Sequence, residues 1–113
     1  VPGMGYFTGD KLKVEEVLLN LLRNAREAVG EKGRISLSAE RQEDTIVIQC
    51  QDNGCGIPEE FIDTIFDPFV TYKENGTGLG LSSSKQTIEA HGGTIYAQSA
   101  PETGTVFTVT LPV

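Results

Sequence analysis

The sequence predicts an α+β fold, a two-layer sandwich of a mixed, mainly antiparallel sheet with about three helices on one face. Three observations predict it. Apolar residues recur at spacings of three and four across residues 10–29. Two pairs of segments alternate apolar and polar residues, and each pair is joined by a short polar turn, the pattern of antiparallel hairpins. The remaining helical segments lie between the hairpins, so the helices share one face of the sheet. With 113 residues the chain forms one domain, 1–113.

The elements follow in order. Residues 1–9 (VPGMGYFTG) read as an incomplete start, cut inside a longer protein. Tyr6-Phe7-Thr8 suits a short strand, but nothing before it pairs with it. Asp10 is a good N-cap for a helix reaching Val29, with Val14, Val17, Leu18, Leu21, Leu22, Ala25 and Ala28 on its apolar side. Gly30 closes that helix. Strands over 34–41 and 45–51 flank a Glu43-Asp44 turn and are expected to bury one face. The second strand runs into the glycine-rich loop Asp52-Asn53-Gly54-Cys55-Gly56-Ile57-Pro58. Pro58-Glu59-Glu60 opens a short helix that ends near Ile65, and Phe66-Asp67-Pro68-Phe69 breaks it. Residues 70–78 lack periodicity and read as a mobile loop. A helix from Leu79 to Ala90 stops at His91-Gly92-Gly93, and strands over 94–99 and 105–111 complete the chain.

Composition narrows the function. Nine Lys+Arg against sixteen Asp+Glu leave a net charge of −7, which disfavours nucleic acid or an anionic membrane as partner. No apolar run approaches the roughly 20 residues of a membrane helix, so no membrane contact is expected of this domain. The two cysteines, Cys50 and Cys55, make no disulfide framework, and a reduced, cytoplasmic setting is expected. Cys50 alternates with Ile46 and Ile48 and is expected in the core.

The chemistry lies in the glycines and asparagines. Asp52-x-Gly54-x-Gly56 and Gly76-Thr77-Gly78-Leu79-Gly80 let backbone approach a ligand closely. The second loop opens a helix, where free amides favour an anion such as phosphate. Neither loop is a P-loop or a dinucleotide fingerprint, and each alone is also what ordinary turns and caps supply. Asn20 and Asn24, four apart, flank the buried side of the first helix. Their amide oxygens are hard ligands that suit Mg²⁺, although solvated or capping asparagines share that spacing.

The ordered set is more specific than its parts. Asn20-x-x-x-Asn24-Ala25, Asp52-x-Gly54-x-Gly56, Phe66-Asp67-Pro68-Phe69, Gly76-Thr77-Gly78-Leu79-Gly80-Leu81, His91-Gly92-Gly93 and Gly104-Thr105-x-Phe107 span residues 10–112. Together they resemble the catalytic ATP-binding domain of sensor histidine kinases, within the group that holds gyrase-type ATPases. The finer resemblance is to kinases of the nitrogen-regulation and sporulation type.

That resemblance implies a set of roles. Asp52 accepts a hydrogen bond from the adenine amino group, Gly54 and Gly56 let the loop pass the base, and Ile57 walls the pocket. Thr105 completes the adenine contacts through water. Asn24 ligates Mg²⁺, and Asn20 sits near the phosphates. Related hydrolases carry a water-activating glutamate at the position of Asn20; an amide cannot act as a base, which argues for transfer rather than self-contained hydrolysis. Gly76, Thr77, Gly78, Leu79, Gly80 and Leu81 form the phosphate side, and residues 70–78 form the ATP lid. Many relatives place a lysine where this chain has Glu27, so another cation is needed; Lys73 is favoured over Arg23 and Arg26. Asn20 and Lys73 are therefore the expected catalytic pair. Phe66 and Phe69 resemble the box that anchors the lid hinge, and His91 reads as a helix cap, not a phosphoacceptor.

Against that resemblance, the family's histidine-bearing dimerisation domain is expected to be absent from this sequence, and the first strand of the fold is expected to be missing or replaced by residues 1–5. The implied partners are that phosphoacceptor domain of the parent kinase and a response regulator downstream. The implied activity is presentation of the γ-phosphate of Mg·ATP to a histidine on a separate helix, in two-component signalling. A nucleotide-binding module without transfer activity and a serine kinase of the anti-sigma-factor kind remain the alternatives.

Overall fold

A computed structural model describes residues 11–29, 33–54, 56–57, 59–67, 80–100 and 104–112. The expectations for the start at 1–9, Asp10, Gly30, Cys55, Pro58, Phe69 and the lid at 70–78 fall outside those residues, as do those for Lys73, Gly76, Thr77, Gly78 and Leu79.

Two α-helices and four strands are described. In chain order they are α1 (Lys11–Val29), β1 (Ile35–Gln42), β2 (Thr45–Asp52), a 3₁₀ turn (Glu59–Phe61), α2 (Gly80–Ala90), β3 (Thr94–Ala100) and β4 (Gly104–Pro112). The sheet runs β1-β2-β4-β3, and every pairing is antiparallel. The α+β class is as expected, with no parallel pair among the described strands.

Register explains how the sheet makes both a core and a site. Three rows with apolar centres cross its helix-covered face: Ile46–Leu111, with exposed Arg41 at its β1 end, then Ala39–Ile48–Val109–Ile95 and Leu37–Cys50–Phe107–Ala97. The next row is Ile35–Asp52–Thr105–Ser99, where the two central positions are polar yet buried. Side chains two apart on a strand share a face, so the alternation that buries Ile46, Ile48 and Cys50 also buries Asp52. Helix α1 lays Val14, Val17, Leu21 and Ala25 on this face, and Ile57, Ile65 and Ile88 fill the remainder. Each large aliphatic buried here contributes about 2 kcal/mol of transfer free energy.

Three expectations are corrected. The hairpin was expected to bury one face of both strands, but β1 is exposed at every position while β2 buries alternate ones. The reason is position: β1 is outermost in the described sheet, and Leu37, though on the helix side, remains 46% exposed. The helix expected over 58–65 is a single 3₁₀ turn followed by further turns. Thr64 N–H donates to Phe61 O and Asp67 N–H to Thr64 O, both i to i−3. A segment this short cannot repay helix nucleation, and tight turns suffice to bury Ile65 and set Phe66 edge-on to Phe107 at 6.1 Å. The described helices thus number two plus this turn, not three.

Helix α2 ends in a Schellman motif. Gly93 N–H donates to Ile88 O and Gly92 N–H to Glu89 O, with Gly92 at φ 78°. His91 Nδ1 lies 2.7 Å from Thr87 O, so the ring satisfies one more terminal carbonyl, as a cap should. No described helix is long and apolar enough to cross a membrane.

Candidate nucleotide site

The site begins where β2 ends. Asp52 is 3% exposed, and its Cα partner on β4 is Thr105, equally buried. Asp52 Oδ1 accepts from Gly54 N–H at 2.9 Å, which bends the chain sharply out of the strand. Gly54 then passes against the C-terminal end of α1: a Cβ there would stand 2.5 Å from Ala28 O. Only glycine fits that approach.

Ser99 ties the loop to the far side of the sheet. Its hydroxyl accepts from Ile57 N–H at 2.6 Å and lies 3.2 Å from Gly104 O and 3.1 Å from Thr105 Oγ1. Ile57 is thereby pinned and buried beside the Asp52–Thr105 pair. The sequence reading did not single out Ser99. The usable signal was phase: Ile95, Ala97 and Ser99 alternate together, which puts Ser99 in the polar row.

Cys50 precedes Asp52 on the same face. Burial, and second the Asp52 carboxylate, push its thiol up from the ordinary value. It is a core residue, as its alternation predicted.

The second half of the site is on the helices. Asn20, Asn24 and Ala28 follow one another at i, i+4 and i+8 along α1, so one ridge runs from α2 to the glycine loop. Eight residues of helix span about 12 Å. At the near end Asn20 Nδ2 donates to Ser84 Oγ at 3.3 Å and lies 3.5 Å from Gly80 O. Ser84 Oγ donates to Gly80 O at 2.9 Å. Ser84, buried and small, lets α2 lie close to α1 at Asn20, where a larger side chain would hold the helices apart. Gly80 and Leu81 open α2 beside Asn20, Gly80 exposed and Leu81 half-buried.

The arrangement therefore offers a buried carboxylate and hydroxyl at one end and two amides beside a helix start at the other. The sequence signature of the histidine kinase-, DNA gyrase B- and HSP90-like ATPases spans residues 9–113. The chain belongs to that family. Sporulation kinase A of Bacillus subtilis (strain 168) is 38% identical over 107 residues, covering 95% of this chain and 18% of that protein. The C4-dicarboxylate transport sensor protein DctB of Rhizobium meliloti (strain 1021) is 44% identical over 105 residues, 91% of this chain and 17% of its own length. The catalytic domain of histidine kinase ThkA, in a nucleotide-free form, matches with a TM-score of 0.82 at 41% identity, over 92% of this chain and 68% of that one. Full-length ShkA in complex with AMPPNP matches with a TM-score of 0.79 at 27% identity, over 88% of this chain and 21% of that one. The chain spans less than a fifth of the two curated relatives named here.

Of the expected site residues in this ATPase-family domain, Asp52, Gly54, Ile57 and Thr105 come together at one end. Gly56 lies in the same loop, buried, at φ 77°. Asn20 meets Gly80 at the other end, with Leu81 next along α2 and Asn24 one turn on along α1, between the two ends. The expected cations Arg23 and Arg26 are both exposed. No group of three His, Cys, Asp or Glu residues suited to a metal occurs among the described residues. The amide ridge nonetheless fits Mg²⁺, which takes only one or two protein oxygens when substrate phosphates and water supply the rest.

Proposed function

We propose that this domain binds Mg·ATP and presents the γ-phosphate to a histidine on a separate dimerisation helix of a sensor kinase. One observation carries the reading: the buried Asp52–Thr105 pair lies at the end of a helix ridge that bears Asn24 and Asn20. Adenine's C6 amino group suits the buried carboxylate, whereas guanine in the same pose would set its C6 keto oxygen against Asp52. Adenine is therefore selected over guanine. Ile57 and the glycine loop close on the ring, and Thr105 serves the remaining ring polarity through water.

The phosphates then run along α1 toward Gly80. Asn24 would hold Mg²⁺, which supplies charge neutralisation on the phosphate oxygens when bound. Asn20 stands where the terminal phosphate arrives, and Lys73 of the 70–78 lid supplies the protein's positive charge. Asn20 carries no basic group, so this domain does not activate water; it orients and shields. In the transfer, the bond from the γ-phosphorus to the β,γ-bridging oxygen breaks and a phosphorus–nitrogen bond forms on the acceptor imidazole, leaving ADP. Such a step needs positioning and charge stabilisation more than covalent help. A response-regulator aspartate is the next acceptor, and a cytoplasmic setting follows from that chemistry.

The test is calorimetric titration with AMPPNP, with and without Mg²⁺, on this chain and on Asp52→Asn. Saturable, Mg²⁺-strengthened binding that the substitution weakens roughly 10- to 100-fold is expected. Absence of binding at millimolar ligand by folded wild-type protein would overturn the reading. Radiolabel transfer from ATP to a supplied histidine domain, and not to a serine protein, tests the acceptor.

A further inference from the structure

We infer that Ser84 is a positioning residue for the phosphate end of the site, one that fixes which way the Asn20 amide faces. The inference rests on the ATP reading above and deepens it.

The argument is a count of protons. Ser84 is 1% exposed, so water does not complete its hydrogen bonding. Its hydroxyl has one proton, and Gly80 O, an acceptor only, lies 2.9 Å away and takes it. The hydroxyl can then only accept on its remaining side, where the Asn20 amide stands at 3.3 Å. Gly80 O is also within 3.5 Å of that amide. Asn20 thus faces two acceptors and must turn its NH₂ toward them. The reverse orientation would set Oδ1 against a carbonyl and against a hydroxyl whose proton is committed. Because the amide is planar, pinning Nδ2 on α2 turns Oδ1 away from Gly80 and Ser84.

A side-chain amide that lacks such a partner samples both orientations. In half of them it would exchange N–H for oxygen on the side that faces the phosphate end, so the site would present a mixed polar surface there. Ser84 thus acts through Asn20 and touches no ligand itself. It also couples α2 to α1: Gly80, the first residue of α2, and Asn20 are held by the same hydroxyl.

A serine one turn into a helix commonly bonds the carbonyl four residues back for purely local reasons. The experiment separates that role from the proposed one by comparing ligands that differ at the phosphate end. Affinities for Mg·AMPPNP and for AMP are measured by calorimetry on wild type, Ser84→Ala, Ser84→Thr, Asn20→Ala and the double variant Ser84→Ala/Asn20→Ala. Ser84→Ala is expected to weaken Mg·AMPPNP about three- to tenfold with AMP unchanged, the effect of one net hydrogen bond. Ser84→Thr, which keeps the hydroxyl, is expected to retain the wild-type ratio. On the Asn20→Ala background the Ser84 substitution is expected to have no further effect.

Equal loss for both ligands, or no loss for either, overturns the inference, as does full additivity in the double variant. A second measurement needs no variant. In the free wild-type chain, nuclear Overhauser contacts from the Asn20 side-chain NH₂ to the Ser84 β-protons are required, and their absence overturns the inference. If wild type binds AMPPNP yet the ratio stays fixed, only the Ser84 role fails; if folded wild type binds no nucleotide, the ATP reading fails and takes this role with it.

Discussion

The two ends of the site are built by different means. The Asp52 end is a row across three strands, and its side chains are placed by the register of the ladder. Asp52 and Thr105 lie on β2 and β4, the two inner strands, whose backbone is hydrogen-bonded on both sides. The Asn20 end is a meeting of two helices through side-chain hydrogen bonds of 2.9 to 3.5 Å. Such contacts can be lost singly while the core of Val17, Leu21 and Ile88 stays packed. A site made this way has one end set by the rigidity of the fold and the other by an adjustable pair of helices. Substitutions at the first end should therefore disturb stability and binding together, and those at the second end binding alone.

The sharpest way to break this contrast is Gly54→Val. The new side chain would meet the Ala28 backbone carbonyl, so loop or helix must shift. A loss of about 1–3 kcal/mol in urea unfolding is expected, with nucleotide binding abolished. Unchanged stability would show the loop to be loosely held and the contrast false. Asp52→Asn comes next. The amide keeps an oxygen for Gly54 N–H but loses the charge, so a roughly 10- to 100-fold loss of AMP affinity is expected in calorimetry. Asn24→Ala sharpens the other side. Its expected cost is about tenfold for AMPPNP with Mg²⁺ and none with chelator, while the unfolding midpoint stays put.

A smaller effect concerns the core beneath the base end. The Cys50 thiol is raised in the folded state, so folding holds its proton more tightly than the unfolded chain does. That contribution is fully present below the unfolded thiol's pKa and is lost as pH rises through the folded one. Stability should therefore fall above about pH 9, and Cys50→Ala should remove that part of the slope. The smallest expected change is a control at the opposite end of the same strands. Glu43 turns the β1–β2 hairpin at φ 53°, a left-handed conformation that costs a residue with a Cβ. Glu43→Gly should stabilise the fold by up to about 1 kcal/mol without altering nucleotide affinity.

Much of the fold was legible because the signals were periodic and local. The spacing of Val14, Val17, Leu21 and Ala25 gave α1, and the alternation of Ile46, Ile48 and Cys50 gave the buried face of β2. The fate of β1 was not legible in the same way. Alternation assigns Leu37 to a face, but whether a helix covers that face depends on where α1 lies across the sheet. The turns at 59–67 were misread because Pro58-Glu59-Glu60 is a true start signal and says nothing about length. At the site, the sequence pattern drew attention to Asp52, Thr105 and the two asparagines. Ser99 and Ser84 escaped notice because their partners, Ile57 and Asn20, come near only through strand pairing and helix docking, 42 and 64 residues away in the chain.

The placement of β4 carries a consequence for how the protein is made. It is the last strand in the chain, yet it sits between β2 and β3, and its pairing with β2 joins Thr45 to Pro112. On a ribosome, the β1–β2 hairpin emerges long before anything can sit against its inner edge. The edge of β2 that faces away from β1 stays unpaired until residues 104–112 have emerged, although α1, made earlier, already has the face of Ile46 and Ile48 to lie on. The Asp52–Thr105 pair therefore cannot form on a partly synthesised chain that lacks β4.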